Sequence, residues 1–190
     1  MAMDGPFSEE LGANLLKKDG YKDNVVLCLN YDGKFGLNNM NNYFQCANHE
    51  GEAVVWGEWI YKKGDPILFN DSKRFPVLYN NLKGWIVEIE RNKTDIRFTI
   101  DIDMKLTEKE CKENEIEFVK DTGKYTRICL QIFKYNYNVP ENEIDEMRMK
   151  AVVPFQLAYA VSIHKAQGLE YDSVKIVIPD SISERVTHGV

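Results

Sequence analysis

The chain has no long hydrophobic run: nothing in its 190 residues approaches the ~20 consecutive apolar side chains of a membrane helix. Its opening, MAMDGPFSEE, has no basic segment leading into an apolar one, so no secretory signal is read and a cytoplasmic location is expected. Cysteine is scarce. Cys28, Cys46, Cys111 and Cys129 are widely spaced with no C-x-x-C pair, which excludes a disulfide framework of the kind found in small secreted domains. Cys28 and Cys129 lie inside apolar, strand-like runs, which predicts buried, reduced thiols. The three histidines, His49, His164 and His188, are scattered, so no metal site is predicted. The phosphate-cradling signature G-x-x-x-x-G-K-[ST] is missing, and no paired nucleophile and base stand out. Positive charge is also short. A net charge of −6 argues against coating duplex DNA by phosphate neutralisation alone. It leaves open a single-strand groove, where base stacking on aromatics and a local basic lining suffice.

The richest stretch is Ala158 to Ile178, AYAVSIHKAQGLEYDSVKIVI. Leu157 to Ile163 reads as a buried strand, and Val174 to Ile178 as a second, β-branched one. Between them Ser162, His164, Lys165, Gln167 and Glu170 surround Gly168, a density of polar groups that no plain core connection needs. Strand, polar turn, strand is how α/β domains present side chains at the carboxyl ends of their strands. Nearer the start, Ser8 caps an expected helix over residues 7–18, with Leu11, Leu15 and Leu16 on one face and Gly20 stopping it. Asn24 to Asn30 reads as a central strand. It leads into the loop Tyr31-Asp32-Gly33-Lys34-Phe35-Gly36, and the spacing of Leu37, Met40 and Phe44 predicts a helix over 37–46. From Gly64 short strands separated by polar turns take over. The clearest is Asp95 to Asp103, where Ile96, Phe98, Ile100 and Ile102 alternate with polar residues. Such strands predict a small antiparallel barrel, and the acidic run from Lys105 to Glu117 a solvated helix or surface insertion.

The corner SIHKAQGLEYDSV resembles the fifth conserved motif of superfamily 1 DNA helicases, T-x-H-K-S-Q-G-x-E-F. Its His-Lys-x-Gln-Gly form is most similar to the RecD-like branch (UvrD/RecD-type), which includes the exonuclease V alpha subunit. VVLCLNYDGKFGLNNMNNYFQ resembles the opening of that family's second motor domain, and GDPILFNDSKRFPVLYNNLKGWIVEIE its SH3-like insert. Gly64, Asp65, Leu78, Asn80, Asn81 and Gly84 fit the insert's pattern, while Leu82-Lys83 departs from the usual spacing. The resemblance implies an α/β fold: an incomplete RecA-like, P-loop NTPase-type domain with a parallel sheet over residues 1–60 and 151–190. An SH3-like antiparallel β-barrel over 61–150 would interrupt it.

The implied activity is that of an ATP-dependent helicase, which couples phosphoryl transfer to single-stranded DNA translocation and unwinding. Gly168 would let backbone approach the phosphates, Glu170 would accept from the ribose, and Tyr31 could stack on adenine or a base. Gln167 would either sense the γ-phosphate or couple it to DNA. Ser162, His164 and Lys165 would contact the DNA strand, with Asn80 and Lys83 on the barrel as further DNA candidates. ATP and Mg2+ are the implied cofactors, held mainly by an N-terminal motor domain outside this chain. Implied partners are single-stranded or junction DNA and the subunits of an exonuclease V complex. No Walker A lysine, Walker B Asp-Glu pair or terminal Thr-Arg motif is present, so the chain reads as a fragment inactive alone. The alternative is a non-catalytic module that binds single-stranded nucleic acid or a protein.

Overall fold

The structure, a computed structural model, describes residues 24–167, 171 and 173–177. The helix expected over residues 7–18 lies outside them. Two compact units make up the chain: Met1–His49 with Leu157–Val190, and Glu50–Gln156.

In the first unit the apolar run after Asn24 forms β1 (Asn24–Cys28). It is central because both its edges are taken, by β10 (Ala160–Ser162) and β11 (Ser173–Val177), each parallel to it. Val25, Val26 and Cys28 are wholly buried, as a strand covered on both faces requires. The loop after β1 feeds α1 (Leu37–Cys46), the span its periodicity predicts. Its buried face is Leu37, Met40, Asn41, Phe44 and Gln45, the i, i+3, i+4, i+7, i+8 stripe of an amphipathic helix. Asn41 lies on that stripe for a reason. Its carboxamide accepts from Ala160 N–H at 2.9 Å and donates to Ala160 C=O at 3.1 Å, so α1 satisfies the backbone of β10.

In the second unit β2 (Val54–Trp56) and β3 (Trp59–Tyr61) form a hairpin turned at Gly57, whose φ of 62° suits glycine. β4 (Pro66–Phe69), β5 (Lys83–Arg91), β6 (Asp95–Ile102), β7 (Glu117–Asp121), β8 (Thr126–Phe133) and β9 (Phe155–Leu157) form a six-stranded sheet ordered β7-β8-β6-β5-β4-β9. Its core is Ile67, Leu68, Phe69, Ile96, Phe98, Ile100, Ile128, Leu130 and Ile132. Phe155 packs edge-on against Phe98 (5.1 Å between ring centres) and Phe69 (5.8 Å), and Tyr61 against Phe98 (5.0 Å). Such pairs each add about 1 kcal/mol beyond area burial. On the opposite face of β6, Asp101 makes a two-pronged pair with Arg127 of β8, at 2.7 and 2.9 Å. Gly64 and Asp65 form a turn: Gly64 has φ 85°, and buried Asp65 accepts from Lys62 N–H at 2.7 Å.

The acidic insertion holds α2 (Glu108–Glu113), started by a capping box between Thr107 and Glu110. A 3-10 turn and α3 (Ile144–Ala151) follow β8. Among the described residues no helix is long and apolar enough to cross a membrane.

Two expectations are corrected. The antiparallel strands do not close into an SH3-like barrel: among the described residues the sheet is open, with β7 and β9 at its edges. The hairpin that could join the edges, β2–β3, pairs only with itself, and β7 loses register at Phe118/Lys120. Leu157 to Ile163 is not one strand. The chain leaves the open sheet at Leu157, passes through fully buried Ala158 and Tyr159, and joins the parallel sheet at Ala160. Hydropathy reads the two strands as one because the crossing between sheets is as buried as the strands.

Candidate functional site

β1 and β10 run parallel with Cys28 opposite Ser162, so both leave the sheet at the same end. Carboxyl ends of neighbouring parallel strands are where an α/β sheet offers polar groups to a ligand. From β1 comes the loop carrying exposed Tyr31; from β10 comes α4 (Ile163–Ala166), a single turn bearing His164 and Lys165. Ser162 is the N-cap of that turn, yet its hydroxyl caps no backbone N–H. It accepts a long hydrogen bond, 3.5 Å, from the Tyr31 hydroxyl. Two residues assigned to different ligands by sequence, Tyr31 to nucleotide and Ser162 to DNA, therefore touch. Ser162 is only 3 % exposed, so it braces Tyr31 more than it presents a surface.

His164 and Gln167 are exposed on the same corner, and Lys165 is half-buried beside them. Burial holds the Lys165 ammonium below the usual lysine range. An anionic ligand there would oppose that shift by favouring the charged form, and would meet a compact, partly desolvated cation. Gly168 and Glu170 lie outside the described residues.

The glycine loop is not a phosphate cradle. The N–H groups at its end and at the start of α1 are engaged by the chain: Gly36 N–H donates to Gly33 C=O (3.0 Å), Leu37 N–H to Asn30 C=O (2.8 Å) and Asn38 N–H to Tyr31 C=O (3.2 Å). Asn39 ties the loop again by donating to Gly33 C=O at 2.8 Å. Gly36 is required by packing, since a Cβ there would lie 2.4 Å from the Asp32 carbonyl oxygen. The N-terminus of α1, which in nucleotide-binding loops meets an anion, is closed by the chain itself.

Asn80 and Lys83 belong to the second unit. Asn80 is exposed in the turn before β5, and Asn81 beside it takes φ 71°, its N–H donating to Phe69 C=O at 2.8 Å. Lys83 opens β5, its carbonyl accepting from Asp103 N–H at 2.9 Å. Among the described residues no cluster of His, Cys, Asp or Glu could hold a metal ion. The residue missed from sequence is Asn41, whose clamp fixes β10 and so the corner after it. The signal was present: a polar residue on the apolar stripe of a helix.

Solved helicase structures resemble the chain. A structure of two coordinating Pif1 helicases at forked dsDNA matches with a TM-score of 0.43 and 16% identity, over 90% of this chain and 40% of that one. Pif1 helicase from Bacteroides with ADP-AlF3 and ssDNA matches at 0.42 and 15%, over 93% and 44%. Bacteroides Pif1 bound to ssDNA matches at 0.40 and 15%, over 88% and 42%. The chain thus spans less than half the length of these proteins. At such identities and scores the likenesses assign no activity to it. No family model and no curated protein matches the chain.

Proposed function

We propose that the chain is the second motor domain, with an inserted β unit, of a RecD-like superfamily 1 helicase that couples ATP hydrolysis to movement along single-stranded DNA. The observation that carries this reading is the corner at the ends of β1 and β10, where Tyr31 and Ser162 meet beside the His164-Lys165-x-Gln167 turn. Two stretches far apart in sequence that each resemble a helicase motif here meet at the carboxyl end of one parallel sheet. In this reading Lys165 and His164 contact DNA phosphate or sugar, and Ser162 holds Tyr31 in place. Tyr31 stacks on a base or on adenine, and Gln167, Gly168 and Glu170 reach toward a nucleotide. Asn80 and Lys83 are DNA contacts on the inserted unit.

ATP, when bound, supplies the phosphoryl group whose transfer to water drives movement. The first N–H groups of α1, already bonded to Asn30 and Tyr31, support a nucleotide held mainly by another domain. Mg2+ would be held with the nucleotide, mainly by that other domain. A complex with nuclease subunits, as in exonuclease V, would extend the same reading.

The test is twofold. Fluorescence anisotropy with a labelled oligothymidylate should show salt-dependent binding that Lys165→Ala weakens, with the slope of log K against log salt falling by about 0.7. Indistinguishable salt titrations of wild type and Lys165→Ala would remove the corner from DNA binding. The chain alone should hydrolyse no ATP; turnover above a heat-inactivated control would refute the division of the nucleotide site between domains. Binding without any effect of added full-length motor domain on nucleotide turnover would favour the second reading, a non-catalytic single-strand or protein-binding module. The exposed Val55, Trp59 and Ile60 of the β2–β3 hairpin favour that reading.

A further inference from the structure

At one end of the open sheet, the β5–β6 turn and the segment after β8 come together. Lys134 N–H donates to Thr94 C=O at 2.7 Å, which ties the two. Arg91 at the end of β5 and Asn92, Lys93 and Thr94 of the turn are all exposed, and Lys134 across from them is exposed too. Among the described residues none of Arg91, Lys93 and Lys134 is in an ion pair. The turn's own carboxylate is bonded to other groups and not to these cations. Asp95 is 7 % exposed and engaged by Gln131 at 2.9 Å and by Asn92 and Thr94 at 3.3 Å each. These bonds, the Gln131 one foremost, hold its pKa below the usual carboxylate range.

Directly after Lys134 stand Tyr135 and Tyr137. Tyr137 is 88 % exposed, more than any other large apolar side chain described. It is nonetheless placed: its ring meets Tyr135 edge-on at 4.7 Å and 76°. Asn138 N–H closes the turn onto the Asn136 side-chain oxygen at 3.0 Å. A positioned ring with an open face, beside exposed cations that form no ion pair among the described residues, has the two elements that hold a single strand. Those are a stacking platform for a base and charges for the phosphates that flank it.

We propose that Tyr137, with Lys93, Lys134 and Arg91, forms a single-stranded nucleic-acid contact on the inserted unit, separate from the corner at β1 and β10. The base stacks on Tyr137, backed by Tyr135, and Lys93 and Lys134 meet adjacent phosphates as point charges. Nothing here reads base edges, so binding is sequence-tolerant and salt-dependent.

The experiment is anisotropy of the whole chain with fluorescein-labelled oligothymidylate and oligouridylate of about fifteen nucleotides, within the span of one single-strand module. Tyr137→Ala should weaken binding about fivefold or more on the polymer bound, and Tyr137→Phe should restore it, since the ring face is what stacks. Lys93→Gln with Lys134→Gln should lower the salt slope by about 1.4. Tyr137 is on the surface, so circular dichroism should be unchanged in its variants, and a loss of affinity cannot then come from unfolding. Tyr137→Ala binding both polymers as tightly as wild type would overturn the proposal. Lys165→Ala, measured alongside, keeps the two sites apart: loss with one variant and none with the other condemns only the site that is unaffected.

Discussion

One amide, Asn41, does for β10 what a paired strand does elsewhere. It satisfies both backbone groups of Ala160 from inside α1, at a position 6 % exposed. Asn41→Leu keeps the apolar stripe but leaves a buried N–H and C=O without partners, a loss of about 2 kcal/mol in urea unfolding. An unchanged midpoint would mean that the clamp adds nothing. Cys28, in β1, gives a pH signature. Burial lifts its thiol to about 11 from 9.0, so the folded state keeps a proton that the unfolded state releases. This stability is complete below pH 9 and is lost as pH rises toward 11, at about 1.4 kcal/mol per unit. Comparing wild type with Cys28→Ala across that window isolates the contribution; parallel curves would refute it. At this scale the sequence was partly readable. Buried Cys28 and Cys129 and the stripe Leu37, Met40, Phe44 follow from hydropathy, because burial is a property of a residue and its near neighbours. That Asn41 faces Ala160, 119 residues away, depends on tertiary pairing that no local pattern carries.

Among the elements, β6 was the clearest from sequence, since its strict alternation puts four isoleucine and phenylalanine side chains on the core face. The same alternation hides an ion pair on the other face. Asp101 is fully buried and Arg127 mostly so, held by two hydrogen bonds, and the pairing keeps the guanidinium proton more firmly than usual. Removing Arg127 takes both of these bonds from a buried carboxylate. Arg127→Gln should lower stability by about 3 kcal/mol, and Asp101→Leu with Arg127→Met should recover most of it. If the double variant is no better than the single, Asp101 draws its support from elsewhere. Barrel closure was not legible, because strand propensity is local whereas closure depends on which edges meet. The β2–β3 hairpin went unread for a related reason: three-residue strands are too short for alternation to register, although Gly57 marked their turn.

For the whole molecule, the division into two units yields a direct test. Glu50–Gln156 is one continuous segment with its own aromatic and aliphatic core. Expressed alone, residues 50–156 should give a β-type circular dichroism spectrum and a single cooperative urea transition; a featureless melt would show that this core is insufficient. The first unit differs, being assembled from both ends of the chain. Its central strand β1 has no partner nearby in sequence: Tyr31 and Ser162, at the ends of paired neighbours, stand 131 residues apart. During synthesis at roughly 5–20 residues per second, the most apolar strand of that sheet waits on the order of ten seconds before either neighbour leaves the ribosome. The corner at the ends of β1 and β10 therefore forms only after the whole intervening unit has been made, and a nascent chain stalled within that unit would expose a bare, sticky β1 as a mark for chaperones or proteases.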